Sequence, residues 1–238
     1  MDKTGFSLTL HAKPQNIPTM DKKITTVVFD LDGTLLDTLQ DLSDSVNHAL
    51  RTHGLPSRST AEVRKMLGNG IRFLMEHAVP SDLPAERFEP VFDTFRSYYV
   101  DHCLDKTRPY EGILPMLDSL RRHGLRMAIV SNKLDAAVQE LNERFFAQYV
   151  DSAVGESETV RRKPNPDGVL EAIRRLGSTP ESSVYVGDSE VDFATARNAG
   201  VPCITVLWGF RDEDFLRSIG ADTFARRPAD IIGLLTGE

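Results

Sequence analysis

The chain reads as an α/β protein: a parallel sheet flanked by helices, broken by one all-helical insert. Three observations carry that reading. Short β-branched apolar runs recur at Ile24–Asp30, Met127–Val130, Ser183–Val186 and Cys203–Leu207, with a weaker one at Tyr149–Val154. Helical patterns separate these runs from Ile113 onward. Between Thr38 and Lys106 there is no strand-like run at all.

The first run, ITTVVFD, is apolar throughout and ends abruptly in acidic residues. Runs of this kind suit strands buried on both faces, as in a parallel sheet covered by helices. Between the runs, Ile113, Leu114, Leu117 and Leu120 precede Gly124, and Val169, Leu170, Ile173 and Leu176 precede Gly177. Each set has helical spacing, and glycine just past its end supplies the stop. Strand and helix in alternation mean βαβ units.

The stretch from Thr38 to Lys106 follows other rules. Thr38-Leu39-Gln40-Asp41 and Ser59-Thr60-Ala61-Glu62 both match a capping box, in which a hydroxyl and a carboxylate satisfy the free amides of a helix start. Leu39, Leu42, Val46 and Leu50 form one apolar stripe; Phe88, Val91, Phe92, Phe95 and Tyr99 form another, read as the core of a small bundle. The expected division is a flexible tail over 1–23, a core over 24–37 and 109–238, and a helical domain over 38–108. Hinges fall near Asp37-Thr38 and Arg108-Pro109.

Bulk properties narrow the function. The 238 residues carry 28 basic and 35 acidic side chains, a net charge of −7, which gives no encouragement to a nucleic-acid partner. No apolar run approaches the roughly 18 residues of a membrane span, and the first residues lack the apolar stretch of a signal peptide. Cys103 and Cys203 form no metal or redox spacing and read as buried free thiols, which fits a reducing cytoplasm. The six histidines (His11, His48, His53, His77, His102 and His123) have no ligand spacing, so no zinc site is expected.

Three strand ends are polar. Asp30-Leu31-Asp32-Gly33-Thr34 points both aspartates the same way, and two carboxylates so close need a cation or a shared proton, unless the segment is simply a turn closed by Gly33. Ser131-Asn132-Lys133 offers a hydroxyl and an amide where an open α/β sheet binds anions. Gly187-Asp188-Ser189 is followed one turn later by Asp192, with helix capping as the alternative. Before the last of these, Arg162-Lys163-Pro164-Asn165-Pro166 pins a lysine between prolines, a point charge suited to a phosphate.

In this order the four segments resemble the motifs of the haloacid dehalogenase superfamily, over roughly Ile24 to Glu238. The resemblance implies an α/β, Rossmann-like parallel-sheet core with an inserted all-helical cap domain. It implies Asp30 as nucleophile at phosphorus and Asp32 as the acid that protonates the leaving oxygen and then the base that activates water. It further implies Mg2+ on the Asp30 carboxylate, the Asp32 carbonyl and Asp188, supported from behind by Asp192, with Ser131, the Asn132 amide and Lys163 holding phosphate oxygens.

Asp32 argues for phosphoryl transfer over dehalogenation, because dehalogenases of this scaffold lack an acid there. Thr34 favours a phosphatase over a sugar-phosphate mutase; mutase and pyrophosphatase remain alternatives, and a non-catalytic binding module a remote one. Gly68-Asn69-Gly70, with Arg72 beyond it, resembles the cap loop of bacterial phosphoglycolate phosphatases, as do Tyr110-Glu111-Gly112 and Gly209-Phe210. The same loop also reads as a plain helix–helix turn. The expected partner is a small phosphorylated metabolite, 2-phosphoglycolate the best single choice. The sequence leaves monomer or homodimer open.

Overall fold

The computed structural model describes residues 23–237. The tail expected over residues 1–23 therefore lies, but for Lys23, outside the described residues. Six parallel strands form the main sheet in the order β5-β4-β1-β6-β7-β8. They are β1 (Thr26–Phe29), β4 (Arg126–Leu134), β5 (Ser152–Glu156), β6 (Ser183–Gly187), β7 (Cys203–Val206) and β8 (Phe224–Ala225). The first strand is central and buried along its whole length. Its even and odd residues feed opposite faces: Val27 and Phe29 join one apolar cluster, Val28 another.

Helices α5 (Ile113–Arg122), α6 (Asp135–Phe145), α7 (Asp167–Arg175), α8 (Glu190–Ala199), α9 (Glu213–Ser218) and α10 (Pro228–Thr236) cover the sheet. The expected glycine stops are present. Gly124 and Gly177 take positive φ, and beyond them Leu125 N–H donates to Leu120 O and Ser178 N–H to Ile173 O, the six-to-one bond of a helix C-terminus.

Four helices, α1 (Leu39–Thr52), α2 (Thr60–Met66), α3 (Gly70–Ala78) and α4 (Ala85–His102), follow the first strand. Both predicted stripes face inward here: Leu42, Val46, Leu50, Val91, Phe92 and Phe95 are buried in one cluster with Phe210. A short antiparallel ribbon, β2 (Leu36–Asp37) with β3 (Arg108–Pro109), ties the two ends of this segment together. No helix among the described residues is long and apolar enough to cross a membrane.

Four local expectations need correction. The weak run at Tyr149–Val154 becomes a strand only from Ser152, because the Tyr149 and Val150 amides close a turn on Phe146 O. The run at Met127–Val130 extends to Leu134, with a register shift after Val130, so Ser131-Asn132-Lys133 lies within the strand's irregular end. The Ser59 box forms with Glu62, but Thr38 makes no side-chain cap. Its partner Asp41 turns instead to the Lys106 and Thr107 amides, at 3.0 and 2.8 Å, binding the start of α1 to the chain's return. Cys103 and Cys203 are free thiols, each half-buried rather than buried.

Candidate active site

Register brings the polar strand ends together. Phe29 is level with Ile129 on one side and Val186 on the other, so the chain leaves β1 at Asp30 between the ends of β4 and β6. In open α/β sheets this carboxyl edge is where ligands bind. Asp30 is buried, its N–H donating to Val186 O at 2.8 Å.

Lys163 is the hub. Its buried ammonium donates to Asp30 Oδ1 at 2.6 Å, Asp192 Oδ1 at 2.7 Å and the Tyr185 hydroxyl at 3.1 Å. All three ammonium protons are used. The Lys163 backbone is fixed as well: its N–H donates to Asn132 Oδ1 at 2.7 Å, and its carbonyl accepts from Asn132 Nδ2 at 3.3 Å. The Lys163–Pro164 peptide is cis.

Asp192 looks inward from the first turn of α8. Its Oδ2 accepts from Ser189 Oγ at 2.6 Å and from the Ser189 and Asp188 amides at 3.1 and 3.3 Å. Beside it, Asp188 Oδ2 accepts from Phe210 N–H at 2.7 Å and Oδ1 from Thr34 Oγ1 at 3.1 Å. Gly33 makes this approach possible: it takes φ +86°, and a Cβ there would stand 2.7 Å from Asp188 Oδ2. An L-residue would have both strain and collision.

Charge is unbalanced at this edge. Asp30, Asp188 and Asp192 bring oxygens within 4.8 Å of one another, and among them Lys163 supplies one ammonium. Burial, reinforced by the charge of Asp192, holds the Asp30 carboxyl well above the usual carboxylate range; Lys163 opposes this. Burial and Asp192 likewise push Asp188 up to about 7. Burial would raise Asp192 too, but Lys163 and the Ser189 and Tyr185 hydrogen bonds hold it low. Lys163 itself stays firmly protonated, Asp192 and Asp30 outweighing its burial. All-oxygen donors with surplus negative charge in a dry site fit a hard divalent cation.

Asp32 stands apart from this cluster. Its Oδ1 faces Lys133 Nζ at 3.3 Å, and Lys133 donates onward to the Tyr99 hydroxyl of α4 at 2.7 Å. Burial disfavours the Lys133 charge, yet Asp32 and Tyr99 more than offset it. Ser131 is buried, its Oγ accepting from Lys133 N–H at 3.2 Å.

Above the edge lies the Gly68-Asn69-Gly70 turn. Three consecutive carbonyls accept from three side chains of the sheet-bearing part. Leu67 O takes Arg211 Nη2 at 2.7 Å, Gly68 O takes Asn132 Nδ2 at 3.3 Å, and Asn69 O takes Arg162 Nη2 at 3.1 Å. Arg72 is not in this group. It forks onto Glu89 at 2.9 and 3.0 Å over the Phe92 ring, on the outer face of α3 and α4. A helical arginine beside a glutamate finds a partner close at hand, and this pair holds Arg72 away from the three carbonyl contacts of the turn.

Thus Asp30, Lys163, Asp188 and Asp192 converge, with Ser131 and Asn132 on the adjoining strand and the glycine turn overhead. The sequence reading missed Lys133, Tyr99, Tyr185, Arg162 and Arg211 as partners. A tyrosine in the otherwise apolar SVYVG run was the one available signal for Tyr185, since a buried hydroxyl needs a partner. The arginines gave none.

The family model for haloacid dehalogenase-like hydrolases matches residues 27–206. A phosphoglycolate phosphatase of Aquifex aeolicus is 31% identical over 210 residues, 88% of this chain and 95% of the relative. An N-acetylmuramic acid 6-phosphate phosphatase of Pseudomonas aeruginosa is 32% identical over 216 residues, 90% of this chain and 95% of its own. A crystal structure from Lactobacillus delbrueckii subsp. bulgaricus, provisionally named a phosphoglycolate phosphatase, superposes with a TM-score of 0.86 at 33% identity. It covers 91% of this chain and is itself covered completely. The chain belongs to the haloacid dehalogenase-like hydrolase family and, within it, to the phosphatases.

Proposed function

We propose that the protein hydrolyses small phosphate monoesters through a phosphoaspartate on Asp30, with Mg2+ as cofactor and 2-phosphoglycolate as the foremost substrate. The observation that carries this reading is the Asp30 carboxylate at the sheet's carboxyl edge, fixed at 2.6 Å by a buried lysine and flanked by Asp188.

In this reading an Asp30 oxygen attacks phosphorus as the P–O bond to the alcohol breaks, and Asp32 gives its proton to the departing oxygen. Asp32 then takes a proton from water, which attacks phosphorus and returns Asp30 and inorganic phosphate. Ser131 and the main-chain N–H of Asn132 donate to the equatorial oxygens, and Lys163, its three protons already placed on Asp30, Asp192 and Tyr185, adds its positive charge beside them; the Asn132 side chain is likewise committed to Lys163 and Gly68. Mg2+, held by Asp30, Asp188 and the Asp32 carbonyl, would offset the charge that builds on the transferring group. Asp192, engaged by Lys163 and Ser189, acts from behind this shell.

Residues 38–108 serve as a cap over the edge, tied through the β2·β3 ribbon. Phosphoglycolate is favoured because several similar proteins carry that activity in their names. The similar N-acetylmuramic acid 6-phosphate phosphatase keeps a phosphorylated sugar as the second reading. We place the enzyme in the cytoplasm, acting on a free metabolite. The test is phosphate release from 2-phosphoglycolate, hexose phosphates, N-acetylmuramic acid 6-phosphate, nucleotides and pyrophosphate with Mg2+. Acid quench and mass spectrometry would seek a phosphoryl group on Asp30. No turnover of any monoester would overturn the reading.

A further inference from the structure

Two aspartates two residues apart are handled very differently in this site. Asp30 is gripped by hydrogen bonds, whereas Asp32 Oδ1 is buried without an aligned hydrogen-bond partner. What compensates it is the Lys133 ammonium at 3.3 Å. A buried carboxylate oxygen with neither a hydrogen bond nor a nearby cation would be costly, so Lys133 is what permits the side chain to sit there.

Lys133 is itself directed into the site by its strand. It follows Ser131 by two residues in the irregular end of β4, where the Ser131 hydroxyl accepts from the Lys133 amide at 3.2 Å. Its second anchor comes from the helical segment: the Tyr99 hydroxyl accepts from Nζ at 2.7 Å. Tyr99 belongs rigidly to α4, stacked on buried Phe95 at 5.5 Å between ring centroids, so the phenol travels with that helix.

We propose that Lys133 is a positioning residue that sets where the Asp32 carboxyl stands, and that Tyr99 makes this setting depend on the docked cap. The inference rests on the reading of Asp32 as the group that protonates the leaving oxygen. With the cap docked, Lys133 is stretched between Tyr99 and Asp32 and the carboxyl faces the leaving group. With Tyr99 withdrawn, the ammonium loses one of two anchors and the carboxyl follows it. Proton delivery is thereby confined to the docked state, while attack by Asp30 draws on Lys163 and is independent of this pair.

The test compares an aryl phosphate, whose leaving group needs no acid, with an alkyl phosphate, whose leaving group does. The proteins are wild type, Lys133→Met, Lys133→Arg, Tyr99→Phe and Asp32→Asn, with thermal melts in parallel. A well-placed acid supplies about 100- to 10,000-fold. Misplacing it should cost Lys133→Met about 10- to 100-fold in kcat/KM on the alkyl ester, a ratio that ends at phosphoryl transfer to Asp30 and leaves out the later hydrolysis, common to both esters, in which Asp32 acts as base. The loss on the aryl ester should be a few-fold at most. Lys133→Arg should recover part of the loss, and Tyr99→Phe should show the same contrast more weakly.

Equal losses on both esters in Lys133→Met, beside a clear contrast in Asp32→Asn, would overturn the proposal and leave the acid reading intact. No contrast in Asp32→Asn would remove the acid reading and the proposal with it. A raised KM confined to carboxylated substrates, with kcat kept, would make Lys133 a substrate contact and overturn its positioning role. Wild-type behaviour in Tyr99→Phe would overturn the dependence on the cap.

Discussion

Replacing Gly70 with valine puts a carbon where the Arg162 side chain already lies. The new Cβ would overlap Arg162 Nη2 and stand 2.6 Å from Cζ and 3.1 Å from Nη1. The guanidinium cannot swing aside without loss, because it is held at 3.1 Å by Asn69 O and at 3.1 Å by Glu156. Moving it breaks one of the three carbonyl contacts that hold the cap turn. A hydrogen bond from a charged donor is worth about 1.5–3 kcal/mol. Arg162 is 37% exposed, so screening brings this down to roughly 1–2 kcal/mol. That is a shift of roughly 5- to 30-fold in the docking equilibrium. Valine at φ +82° adds strain of about 1–2 kcal/mol. The strain is present whether or not the cap is docked, so it appears in the melting temperature, as a fall of roughly 2–8 °C. The assay is kcat/KM for 2-phosphoglycolate and for acetyl phosphate in wild type, Gly70→Val, Arg162→Ala and the double variant. Both single variants should lose about 5- to 30-fold on 2-phosphoglycolate and much less on acetyl phosphate, which needs only the sheet-edge site. The double variant should be no worse than the poorer single one, since both act by removing the same contact. Losses that add to within about 0.5 kcal/mol, the range for independent sites, would refute the connection between Gly70 and Arg162.

Asp30→Asn should abolish turnover while melting within a few degrees of wild type, because the amide cannot attack phosphorus but fits the same space; substantial activity in the folded variant would sink the mechanism. EDTA should silence the enzyme and Mg2+ restore it, and the metal-free protein should lose stability as pH rises. The sign follows from Asp188, whose carboxyl moves from 3.8 to about 7 on folding, with Asp30 raised in the same direction. Stability from such groups is complete below about 4 and is lost as pH rises through about 7. Melts between pH 4 and 8 with and without Mg2+ check this, and apparent Mg2+ affinity should rise by up to about tenfold per pH unit below about 7 as protons cease to compete. Asp41→Ala should cost about 2–4 kcal/mol by stranding the Lys106 and Thr107 amides, measured by denaturant unfolding.

The legible parts of this chain were those in which one residue type answers one local demand. A buried parallel strand needs an unbroken apolar run, and Thr26–Phe29 and Ser183–Gly187 appeared where such runs stood. A helix ending in glycine announces itself, as at Gly124 and Gly177. The four motif segments could be found because the sheet's carboxyl edge demands polar residues at strand ends, where apolar ones would otherwise continue. What stayed hidden were pairings over long separations. Asp41 satisfies a capping pattern by its spacing, yet two amides 65 and 66 residues away win its carboxylate. The two-residue strands Leu36–Asp37 and Arg108–Pro109 have no pattern of their own, and exist because each meets the other. Arg162 and Arg211 read as ordinary surface charges, since nothing local says that three carbonyls of a distant turn await donors.

The DxD spacing shows how much chemistry the fold adds to a pattern. By sequence the two carboxylates are equivalent, side by side and pointing the same way. The fold separates them by giving each a different cation from a different place. Asp30 receives Lys163, delivered by the loop before α7, anchored by Asn132 and shared with Asp192. Asp32 receives Lys133, delivered by β4 and shared with a phenol of the helical insert. Groups that do different jobs at one pH need different surroundings. A nucleophile gains from a fixed position beside a permanent charge; a group that must give and then take a proton gains from a partner that can be adjusted. Lys163 sits in contacts made by the sheet-bearing part, whereas Lys133 reaches across to α4. Under the proposed mechanism the division of labour between the aspartates would follow the division of the chain: attack at the sheet edge, and proton transfer shared with the helical insert.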